Sequence, residues 1–461
     1  MIYEKLYKYL PISFQNIAVS CYGYYWKNRR YGGGFKKEVL KFKKREKFSK
    51  KQWIEYQTKQ LRKLLLHAYD TVPFYTELYK KHGYERRDFL NFNLSSLKNL
   101  PYLEKEDLRK FGSTTLLSTK KRKGKFYSSS GSTGKPTKIY FSKEVHRMWL
   151  AAYEARVRNW AGVNYKNSRG MIGGKRVLST SKNTPPFYRY NSAEKQTYFS
   201  AYHISQKNVE NYIKGMLDNK IEYMVGYAMS NYLLADFIER EQLKAPKIKA
   251  MITSSEKLTQ EMRNTFQRVY SCKTFDSYSG IEACGLISEN KEGDFLFNPD
   301  TGLLEVVDEE GNEVSNGEEG EIISTGFLNF DQPLIRYRIG DRAKKSLSQE
   351  SKSGIEMPLI DEIIGRVEDV VITSEGKKMV RFHGVFININ GLKLSQVVQE
   401  RLNSFTLNLV VDMSSYNLKS EKIMINRLKS QVGNEIVVKF NYLKKIPNIF
   451  NGKYKSVISK I

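Results

Sequence analysis

The chain has 461 residues, 40% of them hydrophobic and 13% aromatic, enough core for two or three domains and a composition that argues against disorder. Its 77 Lys and Arg against 49 Asp and Glu leave a formal charge of +28, which points to anionic partners. No run of roughly 18 apolar residues occurs, which excludes an ordinary membrane span, and Cys21, Cys272 and Cys284 have no paired spacing, which argues against a disulfide framework or a zinc knuckle.

The opening MIYEKLYKYLPISFQNIAVSCYGYYW is interrupted by Pro11, Gln15 and Asn16 and has no small-residue cleavage pattern, so a signal peptide is not expected and the cytoplasm is the expected compartment. Its aromatic character suits the plane of a membrane interface. Basic clusters follow at 35–51 (FKKEVLKFKKREKFSKK) and 120–125 (KKRKGK). Such runs can bind phosphate backbones, but no helix-turn-helix, zinc-finger or RNP pattern accompanies them, and a nucleic-acid partner is disfavoured. An anionic surface at the inner face of the membrane is the better partner; a plain solvated, Lys-rich face is the alternative.

Residues 1–120 read as a helical extension packed on a larger domain: QWIEYQTKQLRKLLLHAYDTVPFYTELYKKHG places Leu61, Leu64 and Leu65 at helical spacing until Pro73 breaks the pattern. Across 121–365, short apolar strands such as YMVGY (223–227), KAMIT (249–253), LLEVVD (303–308) and GEIISTG (320–326) alternate with helical stretches such as SNYLLADFIEREQL. That alternation predicts a multi-layer α/β domain. The polar SLSQESKSG (346–354) reads as a surface loop, and 366–461 as a small α+β domain that begins with a strand, Gly turn and strand in VEDVVITSEGKKMV.

The most informative stretch is SSGSTGKPT at 129–137. Gly131 and Gly134 permit tight backbone angles, so successive N–H groups can line one concavity, while Ser129, Ser130, Ser132 and Thr133 add hydroxyl donors beside Lys135. Such a loop suits a polyphosphate; a polar surface turn is the other reading. Phe126-Tyr127 before it and Ile139-Tyr140-Phe141 after it have the composition of two strands joined by the loop. The Gly-Lys-Ser/Thr ending of a Walker loop is missing, which argues against a P-loop NTPase.

LLHAYDTVPFY, LPYLEKEDLRKF, SSGSTGKPT, SYSGIE, PLIRYRIGD, GRVEDVV and the terminal NGKYKSVISKI occur in the order found in adenylate-forming ligases. Over roughly residues 50–461 the chain resembles their phenylacetate-CoA ligase branch, and especially the capsule-biosynthesis members called CapK-like. The resemblance implies a large N-terminal and a small mobile C-terminal domain. It also implies activation of a carboxylic acid with ATP and Mg2+, release of pyrophosphate, and transfer of the acyl group to an amine or hydroxyl of a sugar or amino-acid precursor in surface-polysaccharide assembly. Coenzyme A is the rival acceptor, and a basic adaptor that has kept the fold without catalysis is the non-enzymatic rival.

Carried over position by position, the resemblance assigns Ser129, Ser130, Gly131, Ser132, Thr133, Gly134 and Lys135 to the phosphates. It assigns Ser254, Ser255 and Glu256 to the adenine wall, although the family form there is richer in glycine. Tyr278 matches the adenine-stacking position and Glu282 the magnesium ligand. Asp341 matches the carboxylate on the ribose hydroxyls, Arg366 a ribose or phosphate contact, and Glu368 and Asp369 the hinge. Lys453 matches the catalytic lysine, with Asn451 where a Ser is usual. Gly280 and His203 are candidates on the substrate side, His203 competing with a satisfied core histidine. Several relatives carry Cys and His after the Glu motif; this chain has Cys284 alone there, so no zinc is expected.

Overall fold

The computed structural model describes residues 7, 9–128, 137–173, 178, 184–201, 203–366, 371–374, 378–379, 382–386, 389–446 and 457–461. The chain folds as two compact units, residues 1–339 with 344–362, and 340–343 with 363–461.

The first unit begins with helices α1 (Ile12–Tyr31), α2 (Phe35–Arg45), α3 (Lys50–Thr71), α4 (Pro73–Lys81) and α5 (Lys105–Phe111). Ser49 starts α3 through a capping box, its Oγ accepting from the N–H of Gln52 while Gln52 Oε1 accepts from the N–H of Ser49. Leu61, Leu64 and Leu65, the periodic residues of the sequence, are fully buried. The break at Pro73 is a helix start: with no N–H to satisfy, proline suits the first turn of α4.

The antiparallel hairpin of β1 (Gly124–Ser128) and β2 (Lys138–Ser142) flanks the Ser/Gly loop, with Ser128 opposite Lys138. Ser142 then caps α6 (Lys143–Tyr153). The main sheet is assembled from β3 (Arg169–Gly173), β4 (Tyr188–Asn191), β5 (Gln196–Ser200), helix α7 (Val209–Asp218), β6 (Tyr223–Tyr227), helix α8 (Ala228–Arg240), β7 (Ala250–Ser254), helix α9 (Gln260–Tyr270), β8 (Lys273–Ser279), β9 (Leu286–Glu289) and β10 (Phe295–Phe297). Its order is β10-β9-β8-β7-β6-β3-β5-β4. Strands β5, β3, β6, β7 and β8 run parallel, and β4, β9 and β10 are added antiparallel at the two ends. In the middle of the parallel set, β7 is buried and apolar over Ala250-Met251-Ile252, as a strand covered on both faces requires. A second sheet has the order β11 (Gly302–Val307), β12 (Glu319–Gly326), β13 (Tyr337–Lys345), β14 (Ile360–Arg366), and the chain crosses between units within β13 and β14.

The second unit contains the antiparallel pair β15 (Val371–Ile372) and β16 (Lys378–Met379), both within VEDVVITSEGKKMV, followed by the single turn α10 (His383–Phe386). Its main sheet uses β17 (Leu392–Arg401) and β18 (Ser404–Val411), then after helix α11 (Lys419–Val432) β19 (Val437–Tyr442) and β20 (Val457–Ser459), in the order β19-β18-β17-β20. Alternation along β18 sends Phe405, Leu407 and Leu409 into a core with Met424 and Leu428 of α11.

Candidate functional site

Strand order places one crevice in the first unit. From β3 the chain leaves to β5 on one side and returns to β6 on the other, so the carboxyl ends of β3 and β6 meet at a topological switch point. Open α/β sheets bind ligands at such points. Gly226, one residue from the end of β6, has a φ of +136°. A Cβ on it would lie 1.8 Å from the carbonyl oxygen of Ile172 on β3. Only glycine permits this backbone approach. Reading YMVGY as a plain strand missed it, although a glycine inside a strand pattern signals such an approach.

Tyr227 and Ser254 end β6 and β7 and lie side by side in register with Ser277 of β8. Beyond β7, Ser255 takes a left-handed φ of +69°, where glycine would be unstrained. This is the physical content of the departure from the glycine-rich family form. Glu256 turns back, and its Oε2 accepts from the N–H of Met229 at 2.8 Å. A carboxylate at the start of α8 satisfies an unpaired donor and complements the helix dipole. Tyr278 lies on β8 opposite Ile287, half-buried.

Two residues before Tyr278, and therefore on the same face of β8, is Asp276, which sequence reasoning passed over. Its Oδ1 accepts from Thr253 Oγ1 at 3.2 Å and from the N–H of Ser277 at 2.9 Å. Its own N–H donates to Glu289 Oε2 at 2.8 Å, and Arg263 clamps Glu289 with 3.0 and 2.7 Å bonds. Burial, reinforced by the Glu289 charge, pushes the Asp276 carboxyl up to about 6. An acid inside the strand KTFDSYS was the available signal.

The chain leaves β8 through a turn closed by the N–H of Ala283 to the Gly280 carbonyl at 3.2 Å, with Ala283 at a φ of +50°. A Cβ on Gly280 would lie 2.2 Å from Glu282 Oε2. Glycine at 280 is therefore what lets this carboxylate fold back over the strand end. A hard oxygen donor of this kind suits magnesium, which keeps most of its waters. Among the described residues no group of three His, Cys, Asp or Glu side chains could hold a metal ion, and Cys284 is buried.

His203 is packed as a core residue. Its ring stacks on Phe187 at 4.9 Å, Nδ1 is 2.7 Å from Ser200 Oγ, and its carbonyl accepts from Asn208. Asp341 follows Gly340, whose φ is +82°, within β13, and Arg366 ends β14; both belong to the second unit. Ser129, Ser130, Gly131, Ser132, Thr133, Gly134 and Lys135, the hinge pair Glu368 and Asp369, and Lys453 lie outside the described residues.

The family model described as the CapK C-terminal domain matches residues 371–460. Protein CapK of Staphylococcus aureus is 26% identical over 470 aligned positions that cover 99% of both chains. The chain is thus similar to CapK from end to end, and its C-terminal part matches the CapK C-terminal domain. The CapK-like chain is also 25% identical to phenylacetate-coenzyme A ligase of Escherichia coli (strain K12), over 68% of its own length and 71% of that protein's. In three dimensions it is similar to a 2-hydroxyisobutyryl-CoA ligase solved in the postadenylation state with an acyl-AMP. The TM-score is 0.70 at 15% identity, over 90% of this chain and 91% of that one. The mixed α/β architecture expected from the alternating elements is thus that of a solved ligase.

Proposed function

We propose that this CapK-like chain is an ATP-dependent ligase that joins a carboxylic acid to AMP, with release of pyrophosphate, and then passes the acyl group to an amine or hydroxyl of a sugar or amino-acid precursor in capsular or other surface-polysaccharide assembly. The observation that carries the first half is the Glu282 carboxylate folded over Gly280 beyond the carboxyl end of β8, two strands along the same sheet from the switch point. Attack of a carboxylate on an α-phosphate requires alignment of two anions and relief of their repulsion, a task of positioning and electrostatics.

In this reading Glu282 holds the magnesium, which would screen the phosphate charge when bound. Ser129, Ser130, Ser132, Thr133 and Lys135, with the backbone at Gly131 and Gly134, hold the β- and γ-phosphates. Tyr278 and the Ser254–Ser255 backbone bracket the base, and Asp341 and Arg366 hold the ribose. Lys453 meets the charge that develops at the α-phosphate, and Glu368 and Asp369 act as the hinge. Glu256, already tied to Met229, supports the wall rather than touching the base.

Acid-driven exchange of labelled pyrophosphate into ATP tests the first half: one acid from a panel should drive it, and no exchange with any acid would remove the enzyme reading. The amine or hydroxyl acceptor is what the capsule-biosynthesis resemblance implies, whereas the coenzyme A ligases named above favour a thiol. With the cognate acid, AMP release should rise with amine or sugar acceptors. Stoichiometric thioester formation and no amide or ester product would give the case to coenzyme A.

A further inference from the structure

Helix α1 buries one face and carries large apolar side chains on the opposite, exposed one. Its inner face, Gln15, Val19 and Gly23, is buried against β4, the edge strand of the main sheet. The fit is specific: the N–H groups of Tyr190 and Ser192 donate to Asn16 Oδ1 and Ser20 Oγ, both at 3.0 Å, and Arg189 Nε donates to Gln15 Oε1 at 2.5 Å. A Cβ on Gly23 would strike the Asn191 side chain at 2.1 Å. α1 thus covers donors that would otherwise leave the sheet edge open, and it is held in one rotation about its axis.

That rotation fixes what faces outward. Phe14, Ile17, Cys21 and Tyr24 recur at spacings of three, four and three and form one stripe opposite the buried face. The three large side chains are 57%, 58% and 63% exposed, with Tyr22 and Tyr25 exposed beside them. A helix packed on a sheet ordinarily turns charge outward, and a contiguous apolar stripe marks an interaction surface. Charge complementarity says which kind. Lys125 Nζ lies 5.6 Å from the centre of the Tyr25 ring, and Tyr127 of the same strand packs on Trp26 at 5.9 Å. The exposed run Lys120, Lys121 and Lys123 therefore leads directly to the helix. Tyrosines at the border of an apolar stripe, next to a cluster of lysines, are the composition of a surface that lies among anionic headgroups.

We infer that the outer face of α1, with the Lys120–Lys125 run, docks the protein on an anionic lipid bilayer in the plane of its interface. The test is cosedimentation of the full chain with vesicles of phosphatidylcholine alone and of phosphatidylcholine mixed with phosphatidylglycerol. Binding is expected on the anionic vesicles and at least about tenfold weaker on the neutral ones. The triple variant F14S/I17S/Y24S changes only exposed side chains and should lose at least about tenfold in affinity, and K120Q/K121Q/K123Q should lose roughly fivefold per lysine. Because Cys21 lies on the stripe while Cys272 and Cys284 are buried, an environment-sensitive dye placed on Cys21 of the otherwise unaltered chain should shift to the blue on anionic vesicles. Failure of the wild-type chain to bind, binding unchanged in the triple variant, or no dye shift would each overturn the inference. So would a concentration-dependent dimer that the triple variant disperses in the absence of vesicle binding, since a second copy would then be the occupant.

Discussion

At residue scale the site depends on side chains that are absent as much as on those present. Gly280 leaves room for the Glu282 carboxylate, and what a Cβ would meet is the end of a flexible side chain, not backbone. Gly280→Ala should therefore leave the denaturation midpoint nearly unchanged, within about 0.5 kcal/mol. It should also raise the magnesium concentration needed for half-maximal pyrophosphate exchange by about tenfold, the equivalent of roughly 1.4 kcal/mol. An unchanged metal titration would separate Glu282 from the metal. Asp276 gives a prediction in pH. Its folded carboxyl is raised from an ordinary 3.8 to about 6. The folded state thus holds this proton more tightly, and the associated stability is fully present below about pH 4 and lost as pH rises through 6. Asp276→Asn is neutral throughout, so its urea midpoint should match the wild type near pH 4 and exceed it at pH 7 by up to about 3 kcal/mol. Parallel profiles for the two proteins would show that Asp276 does not titrate in this window.

At the scale of elements, the glycine at the end of β6 carries the switch point. Gly226→Ala forces a Cβ against the Ile172 carbonyl in a backbone region that L residues rarely enter, and it should cost about 3 kcal/mol or more, read as a lowered urea midpoint. A variant as stable as the wild type would mean that β3 and β6 can part there without penalty. How far such features could be read from sequence depends on whether their cause is local. The hairpin around the Ser/Gly loop, the helices on either side of Pro73 and the strands at 223–227 and 250–254 follow from alternation, periodicity and proline chemistry, each contained within a few residues. The order of the strands does not, because nothing in β3 states that β5 and β6 lie on its two sides. Asp276 escaped notice because its character comes from Glu289, thirteen positions on, and from burial. The outward stripe of α1 was visible only as aromatic content until its contacts with β4 fixed which face is covered. Of the candidate site, the positions of Tyr278, Gly280 and Glu282 on one strand and the turn after it were legible because all three fall within SYSGIE.

At the scale of the whole molecule, the proposed assignments fall on residues of both compact units, with Tyr278 and Glu282 in the first and Asp341 and Arg366 in the second, while Lys453 is assigned from the C-terminal sequence motif. This division makes a kinetic prediction about Lys453. The phosphates, base and metal are assigned to groups that act on ATP before any chemistry occurs, whereas Lys453 is assigned to charge that grows only as the carboxylate attacks. An interaction made only in the transition state lowers the barrier without tightening the ground state. Lys453→Ala should therefore reduce acid-driven pyrophosphate exchange by about a hundredfold, near 3 kcal/mol, while the affinity for ATP in equilibrium binding stays within about threefold of the wild type. Glu282→Gln should behave differently, with its loss partly restored at high magnesium because the metal acts on bound and reacting phosphate alike. Exchange at near wild-type rate in the lysine variant would remove Lys453 from the reaction. Parallel loss of ATP binding and exchange would instead make it a ground-state phosphate ligand, and the catalytic cation would then have to be sought among the other lysines of the second unit.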